Sequence, residues 1–251
     1  MFRSQQATNP PSPYPVVTPM RLITSLSPNR IPRQQKCVNS WISRGCTVTA
    51  VQSVGEIESL IQHFPSVNFV ETHLVGDVFG RPKSVRLRSL LDLITDGPSM
   101  IINSDIEITT STEVFTGYWG DLQHNSIKMG VRWDCSRRFN VPPALLKYGI
   151  DVFLLSPETA RMLPDLGMTI GCPAWDYWIP WHLNRLSVTI HTSKRIEFMH
   201  EVHEVNWSKN EYDIGIRIMQ DNYPNLTSPM LGSFIQELTG RTALKLRKIP
   251  V

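Results

Sequence analysis

The chain is short of cysteine, of surplus charge and of long apolar runs, and each shortage removes a class of protein. Its four cysteines, Cys37, Cys46, Cys135 and Cys172, form no Cys-x-x-Cys pair. In a chain of this length that excludes a disulfide-dense small scaffold and the usual zinc spacings, and it fits reduced thiols in a cytoplasmic setting. Lys plus Arg number 25 and Asp plus Glu 22, a net charge of +3, too little to mark a nucleic-acid binder by its field. The one basic cluster is the tail Arg241, Lys245, Arg247 and Lys248, which reads as a solvated end. No segment approaches the roughly 20 apolar residues that span a bilayer, and the first residues lack the apolar core of a secretory signal. The expected protein is cytoplasmic, with no transmembrane segment and no nucleic-acid partner.

What the chain does have is core. Of its 251 residues 41% are hydrophobic and 19% charged, the profile of an enzyme-sized globular interior. Residues 1–19 stand apart: Pro10, Pro11, Pro13, Pro15 and Pro19 among polar neighbours cannot bury enough surface to order themselves, and they read as a flexible leader. From residue 20 onward β-rich runs alternate with helical patterns. Arg21–Ser25, Thr47–Gln52, Val67–Glu71 and Met100–Ile108 read as strands, with helices over Ile31–Ser43, Gly55–His63 and Val85–Thr95 between them. Strand and helix repeated with short links imply right-handed crossovers and a parallel sheet. Further strands are expected at Ile127–Trp133, Asp151–Ser156, Met168–Gly171 and Ser187–His191, with helices after Pro157 and after Pro173. No internal repeat and no linker interrupts residues 20–251, which reads as a single α/β domain.

Chemistry concentrates where the apolar run Met100–Ile108 ends in Asn103, Ser104, Asp105 and Glu107. Ligands of open α/β sheets bind at the carboxyl ends of strands. A carboxylate there can hold a divalent cation against phosphate oxygens; alternatively Asp105 caps the helix that follows. Glu107 projects to the same side as Asp105 if strand geometry persists. A second candidate lies in Trp175-Asp176-Tyr177-Trp178. An aspartate among aromatics at a helix start is pulled up in pKa by desolvation and down by the helix dipole. That balance suits a general base or a ligand for a sugar hydroxyl. Trp175, Trp178 and Trp181 can stack on sugar rings or simply fill the core. His200 and His203 present two imidazoles either at a strand's end or on one helix face.

Three elements in order resemble the GT-A glycosyltransferases, which bind a nucleotide-diphosphate sugar on a Rossmann-like fold with a central, mostly parallel sheet flanked by helices. They are the turn Ser25-Leu26-Ser27-Pro28-Asn29-Arg30 after the first strand, the strand ending in Asn103-Ser104-Asp105, and Gly171-Cys-Pro-Ala-Trp-Asp176-Tyr-Trp-Ile-Pro. The resemblance runs from about residue 21 to residue 203. It makes residues 20–110 a nucleotide-binding half and residues 111–251 an acceptor-binding half with a C-terminal extension. It implies transfer of a sugar to a glycan or other hydroxyl acceptor, with inversion, assisted by Mn2+ or Mg2+. The family's Asp-x-Asp is incomplete here, since Asn103 replaces the first carboxylate. By resemblance Asp105 holds the metal, with His200 and then His203 as further ligands, and Asp176 is the base.

The same resemblance places Ser25, Leu26, Pro28, Arg30, Gln52 and Ser53 around the base and ribose. Arg81 and Lys83 then lie near the diphosphate, Asn103 and Ser104 line the donor site, and Trp175, Trp178 and Asp134, with Arg137 and Arg138 following it, border the acceptor. Two other readings share these residues. One is a GT-A-like scaffold or nucleotide-sugar sensor without transfer activity. The other is a sugar nucleotidyltransferase, against which stands the absence of a G-x-G-x-x-x-R loop after the first strand.

Overall fold

The computed structural model describes residues 20–120, 122–136, 141–203 and 207–240. The proline-rich stretch 1–19, the basic tail beyond residue 240, and Arg137 and Arg138 lie outside them.

The first half follows the expected alternation. β1 (Met20–Thr24), β2 (Cys46–Ser53) and β3 (Val67–Thr72) pair in parallel, with α1 (Ile31–Ile42) and α2 (Ile57–Ile61) as crossovers. The antiparallel pair β4 (Val75–Gly76) and β5 (Arg81–Val85) and the short α3 (Leu87–Leu91) lead to β6 (Ser99–Ile102), which lies parallel to β1. The expected helices at Gly55 and Val85 are shorter than the pattern suggests. Gly55 adopts φ 78° and stays outside α2, and Val85 is spent in β5. After β6 come β7 (Ile106–Ile108), α4 (Thr112–Gly120), β8 (Ser126–Ser136), β9 (Val141–Leu155), α5 (Pro157–Arg161), α6 (Trp175–Arg185), β10 (Thr189–Glu201), α7 (Lys209–Asn222) and α8 (Ser228–Thr239).

One eight-stranded sheet results, in the order β3-β2-β1-β6-β9-β8-β10-β7. Four pairings are parallel (β1 with β2, β1 with β6, β2 with β3, β8 with β10), and three are antiparallel (β6 with β9, β8 with β9, β7 with β10), so the sheet is mostly parallel. The second half is where a purely parallel reading fails, because β9 returns against both its neighbours. The expected strand at Met168–Gly171 reduces to one bridge, Thr169 to Arg86, because Gly167 and Gly171 turn the backbone out at φ 73° and 77°.

Both faces of the sheet are buried, which is why the central strands are continuously apolar. Leu22, Met100, Ile102, Val152 and Leu154 face one layer with Val38 and Trp41 of α1 and Phe115 of α4. Their neighbours Ile23, Ile101, Phe153 and Leu155 face the other, with Leu90 of α3 and Trp175, Trp178 and Ile179 of α6. No helix among the described residues is long and apolar enough to cross a membrane.

The stretch Met100–Ile108 is two strands, not one. The chain leaves the sheet's middle at Ile102, turns through Asn103, Ser104 and Asp105, and re-enters at the far edge as β7 beside β10. Four strand steps in a flat sheet are about 19 Å, whereas four Cα–Cα links reach at most about 15 Å. The sheet must therefore curl, and register breaks between Ser193 and Phe198 in β10 and along β8 accompany the curl. Its effect is to bring the end of β10 back to the turn after β6.

Candidate metal and acid-base centre

The turn at residues 103–105 is fixed from three sides. Ile106 N–H closes it onto Asn103 O at 3.2 Å, and Asn103 N–H donates to Asp151 O of β9 at 3.1 Å. The Trp41 indole of α1 donates to Ile106 O at 2.8 Å. Its position is thus set by the core, and Asp105 is presented without freedom to swing. Glu107 does not join Asp105, since it forms an ion pair with Lys36 of α1.

The end of β10 meets this turn. His203 Nε2 lies 3.1 Å from Asp105 Oδ2 and His200 Nε2 3.5 Å from the same oxygen. One ligand atom from each of the three side chains falls within 4.8 Å of the others. Burial works against an ionised Asp105, but hydrogen bonds from His200 and His203 outweigh it and hold the carboxyl well below the usual carboxylate range. Burial likewise pulls His200 down, and its hydrogen bonds to Asp105 and Asp134 override it, leaving the imidazole above its ordinary value. Asp134 Oδ1 sits 2.8 Å from His200 Nδ1. That carboxylate turns Nε2 toward Asp105, the arrangement by which histidines are held for a metal. The donor set, two imidazole nitrogens and one carboxylate, is one that a divalent metal ion can take. The geometry also removes the reading of Asp105 as a helix cap, because α4 begins only at Thr112.

Asp176 occupies the first turn of α6, behind Ala174, which takes φ 80° as the helix N-cap. A left-handed alanine costs free energy, on the order of 1 kcal/mol or more, and here it aims the residues that follow. Two contacts hold it. Trp175 packs edge-on against Phe153 of β9 with ring centroids 5.7 Å apart. Gly215 of α7 leaves no room for a side chain, since a Cβ there would lie 2.7 Å from Pro173 O. Burial first and then Asp151 push the Asp176 carboxyl well above its ordinary value, with Arg132 and the helix-start N–H groups offsetting part of this. Pro180, inside α6, has no N–H to give the Asp176 carbonyl four residues back.

Several residues expected at the donor and acceptor serve the scaffold. Gln52 is buried; its Oε1 accepts from Leu26 N–H at 2.8 Å and Ser25 Oγ at 3.1 Å, and its Nε2 donates to Leu26 O at 2.7 Å. Ser53 donates to Glu56 at 2.8 Å. Pro28 and Arg30 are exposed, Arg30 in the left-handed region at φ 58° as the N-cap of α1. The loop's backbone is satisfied within the scaffold, Leu26 by Gln52 and Ser27 by Gln34, whose Oε1 accepts from Ser27 N–H and whose Nε2 donates to Ser27 O, each at 2.8 Å. Arg81 pairs with Glu211 of α7, and Lys83 is exposed on β5. Ser104 is half-buried in its turn, while Asn103 donates to Asp151 at 2.6 Å. Trp175 and Trp178 are each 1% exposed, so both are core residues and neither face is open for a sugar. Asp134 borders His200 and Arg132, not an open acceptor pocket.

Two residues central to this network, Arg132 and Asp151, escape a reading of the sequence. Arg132 Nη1 donates to Asp151 Oδ2 at 2.7 Å and its Nε to Asp134 Oδ1 at 3.1 Å. The available signal was Asp151 itself, an acid opening the apolar run VFLL. A roomier pocket of about 570 Å³ lies at the other end of α6, lined by residues that include Trp181, Arg185, Tyr223 and Phe234. Among the described residues no carboxylate or imidazole lines it, so the charged centre is the candidate for the chemistry.

No family model matches the chain, and no curated protein matches it in sequence. Among solved structures it is similar to S. aureus TarS 1–349 in complex with UDP-GlcNAc, at 10% identity and a TM-score of 0.53 over 90% of this chain and 72% of that one. A looser likeness, TM-score 0.43 at 9% identity over 85% of this chain and 98% of the other, is to a protein assigned as a glucose-1-phosphate thymidylyltransferase from Bacillus anthracis, in complex with sucrose. The likeness to TarS shows the fold, a Rossmann-like GT-A architecture with a mostly parallel sheet flanked by helices.

Proposed function

We propose that this protein is a metal-assisted glycosyltransferase that moves a sugar from a nucleotide-diphosphate donor to an acceptor hydroxyl with inversion. The observation that carries the reading is the convergence of Asp105, His200 and His203 at the carboxyl edge of a GT-A sheet. That is where a donor's diphosphate lies in a fold of this kind. A bound divalent cation supplies positive charge to the departing nucleoside diphosphate; Asp105, His200 and His203 are the residues that would hold it. Asp176 accepts the proton of the acceptor hydroxyl as its oxygen bonds to the anomeric carbon and the bond from that carbon to the phosphate oxygen breaks. A base works best with a pKa close to the working pH, and burial together with Asp151 moves Asp176 in that direction.

Calorimetric titration with UDP-, GDP- and dTDP-sugars, with and without Mn2+ and repeated on Asp105→Ala, tests this. Mn2+-dependent binding that disappears in the variant is the expected result and identifies the donor nucleotide. A folded protein that binds no member of the panel would defeat the transferase reading. Binding of a sugar 1-phosphate with a nucleoside triphosphate, followed by pyrophosphate release, would move the activity to nucleotidyl transfer.

A further inference from the structure

Asn103 stands where the Asp-x-Asp element would carry its first carboxylate, and its partners account for the replacement. Asn103 Nδ2 donates to Asp151 Oδ1 at 2.6 Å, and Asp151 is only 4% exposed. The other oxygen of Asp151 takes Arg132 Nη1 at 2.7 Å. A carboxylate at position 103 would put two negative charges at hydrogen-bond distance inside the core, with one guanidinium to serve both. Arg132 is held in place as well as paired. Its stem crosses Gly149, where an added Cβ would lie 2.6 Å from Arg132 Cγ, and its Nε reaches Asp134, the partner of His200.

We propose that Asn103, Asp151 and Arg132 form a positioning unit in which the carboxylate absent from position 103 is supplied by Asp151 on β9, and Arg132 passes its placement on to Asp134 and His200. None of the three is proposed to touch the reacting atoms. Their link to catalysis rests on the transferase reading, whereas the pairing itself does not. A guanidinium suits the role because its fork donates to two carboxylates in fixed directions. An ammonium at the same position has no fixed fork with which to hold both in those directions.

The test is a double-mutant cycle of Asn103→Asp, Asp151→Asn and the two together, read as Tm in metal-free protein and as Mn2+ affinity by calorimetry. Asn103→Asp completes the Asp-x-Asp spelling, yet it should lower Tm by roughly 5 °C or more and weaken Mn2+ about tenfold or more. The double exchange restores one acid and one amide, and most of both losses should return. Arg132→Lys should weaken Mn2+ about as much as Asp134→Ala, on the order of 10- to 100-fold. Tighter Mn2+ binding in Asn103→Asp, or a double variant worse than either single one, would overturn the proposal. Failure of the wild-type protein to bind Mn2+ or any donor would instead overturn the transferase reading, with the metal-free Tm cycle still deciding the pairing.

Discussion

The carboxyl edge of the sheet has two polar regions that solve opposite problems. At the exits of β1 and β2, Ser25, Leu26, Gln52 and Ser53 satisfy one another and the backbone through short neutral hydrogen bonds. At the exit of β6, Asp105, His200 and His203 crowd three chargeable groups around one carboxylate oxygen, and Asp134, Arg132 and Asp151 stand behind them. The first region is complete within itself, so it fixes a loop. The second holds ligand-type atoms facing one another across a shared space, the arrangement that a cation would complete under the proposed function. Polar residues at strand ends therefore do not all mean contact with a ligand.

The sharpest way to break this comparison is to disturb each region separately. Asp105→Ala should remove Mn2+ binding, a loss of at least about 100-fold, and should also lower Tm in metal-free protein at neutral pH, because the hydrogen bonds from His200 and His203 that hold its carboxyl low are lost. Gln52→Ala should cost stability alone. It strands Leu26 N–H and Leu26 O in a buried setting, at about 1–3 kcal/mol for each group, while Mn2+ affinity stays within about threefold of wild type. Equal losses of Mn2+ affinity in the two variants would erase the distinction.

Asp176→Asn separates activity from stability. Transfer should fall by about 10²- to 10⁴-fold, with donor affinity nearly unchanged because the carboxylate acts in the transition state. Stability should move the other way. Asp176 is raised above its ordinary value of 3.8 by burial and by Asp151. Its contribution to stability is therefore fully present below that value and is lost as pH rises through the folded pKa. The amide variant carries no such loss, so its Tm advantage over wild type should grow with pH and vanish in acid. Melting curves across pH check the sign, and a variant less stable than wild type at high pH would contradict the burial argument.

Much of the first half was legible because its signals are local. Apolar runs bounded by turns located β1, β2, β3 and β6, and the apolar stripe Cys37, Val38, Trp41 and Ile42 located α1. Asp105 was conspicuous because charge interrupts an apolar strand. What stayed hidden depends on tertiary arrangement. Nothing in Met100–Ile108 announces a three-residue turn to the far edge of the sheet, because the curl that permits it is set by register breaks in β8 and β10. Trp175 and Trp178 flank Asp176 in sequence, which left sugar stacking and core filling both open, and the structure buries both beyond the positive φ of Ala174. Arg132 and Asp151 lie on different strands and acquire meaning only across the β8–β9 pairing.

A smaller effect should follow from Gly215→Ala, which lies outside both polar regions yet bears on the aim of Asp176. In an exposed helix the change would help by about 1 kcal/mol. Here the new Cβ would meet Pro173 O at 2.7 Å and Ala174 Cβ at 2.9 Å, and the turn that aims Asp176 must shift. A lower Tm together with a fall in transfer rate is expected, with Mn2+ affinity preserved, since the charged centre is built from other elements. A more stable variant of full activity would show that α7 does not brace this turn.

The smallest effect tests the hairpin arginine, for which the sequence suggested the diphosphate. Arg81 pairs with Glu211, and Glu211 also closes the capping box of α7 with Ser208. Both side chains are less than a third exposed, at 30% and 13%, so the pair sits near the upper end of the surface range, about 1 kcal/mol. Arg81→Ala should therefore lower Tm by a few degrees and leave donor affinity near wild type, and Lys83→Ala on the exposed strand should stay within about 0.5 kcal/mol. If Arg81→Ala instead left Tm unchanged and weakened donor binding tenfold, the guanidinium would belong to the diphosphate. The charged region of the carboxyl edge would then extend to β5, and the division between scaffold and centre would need to be redrawn there.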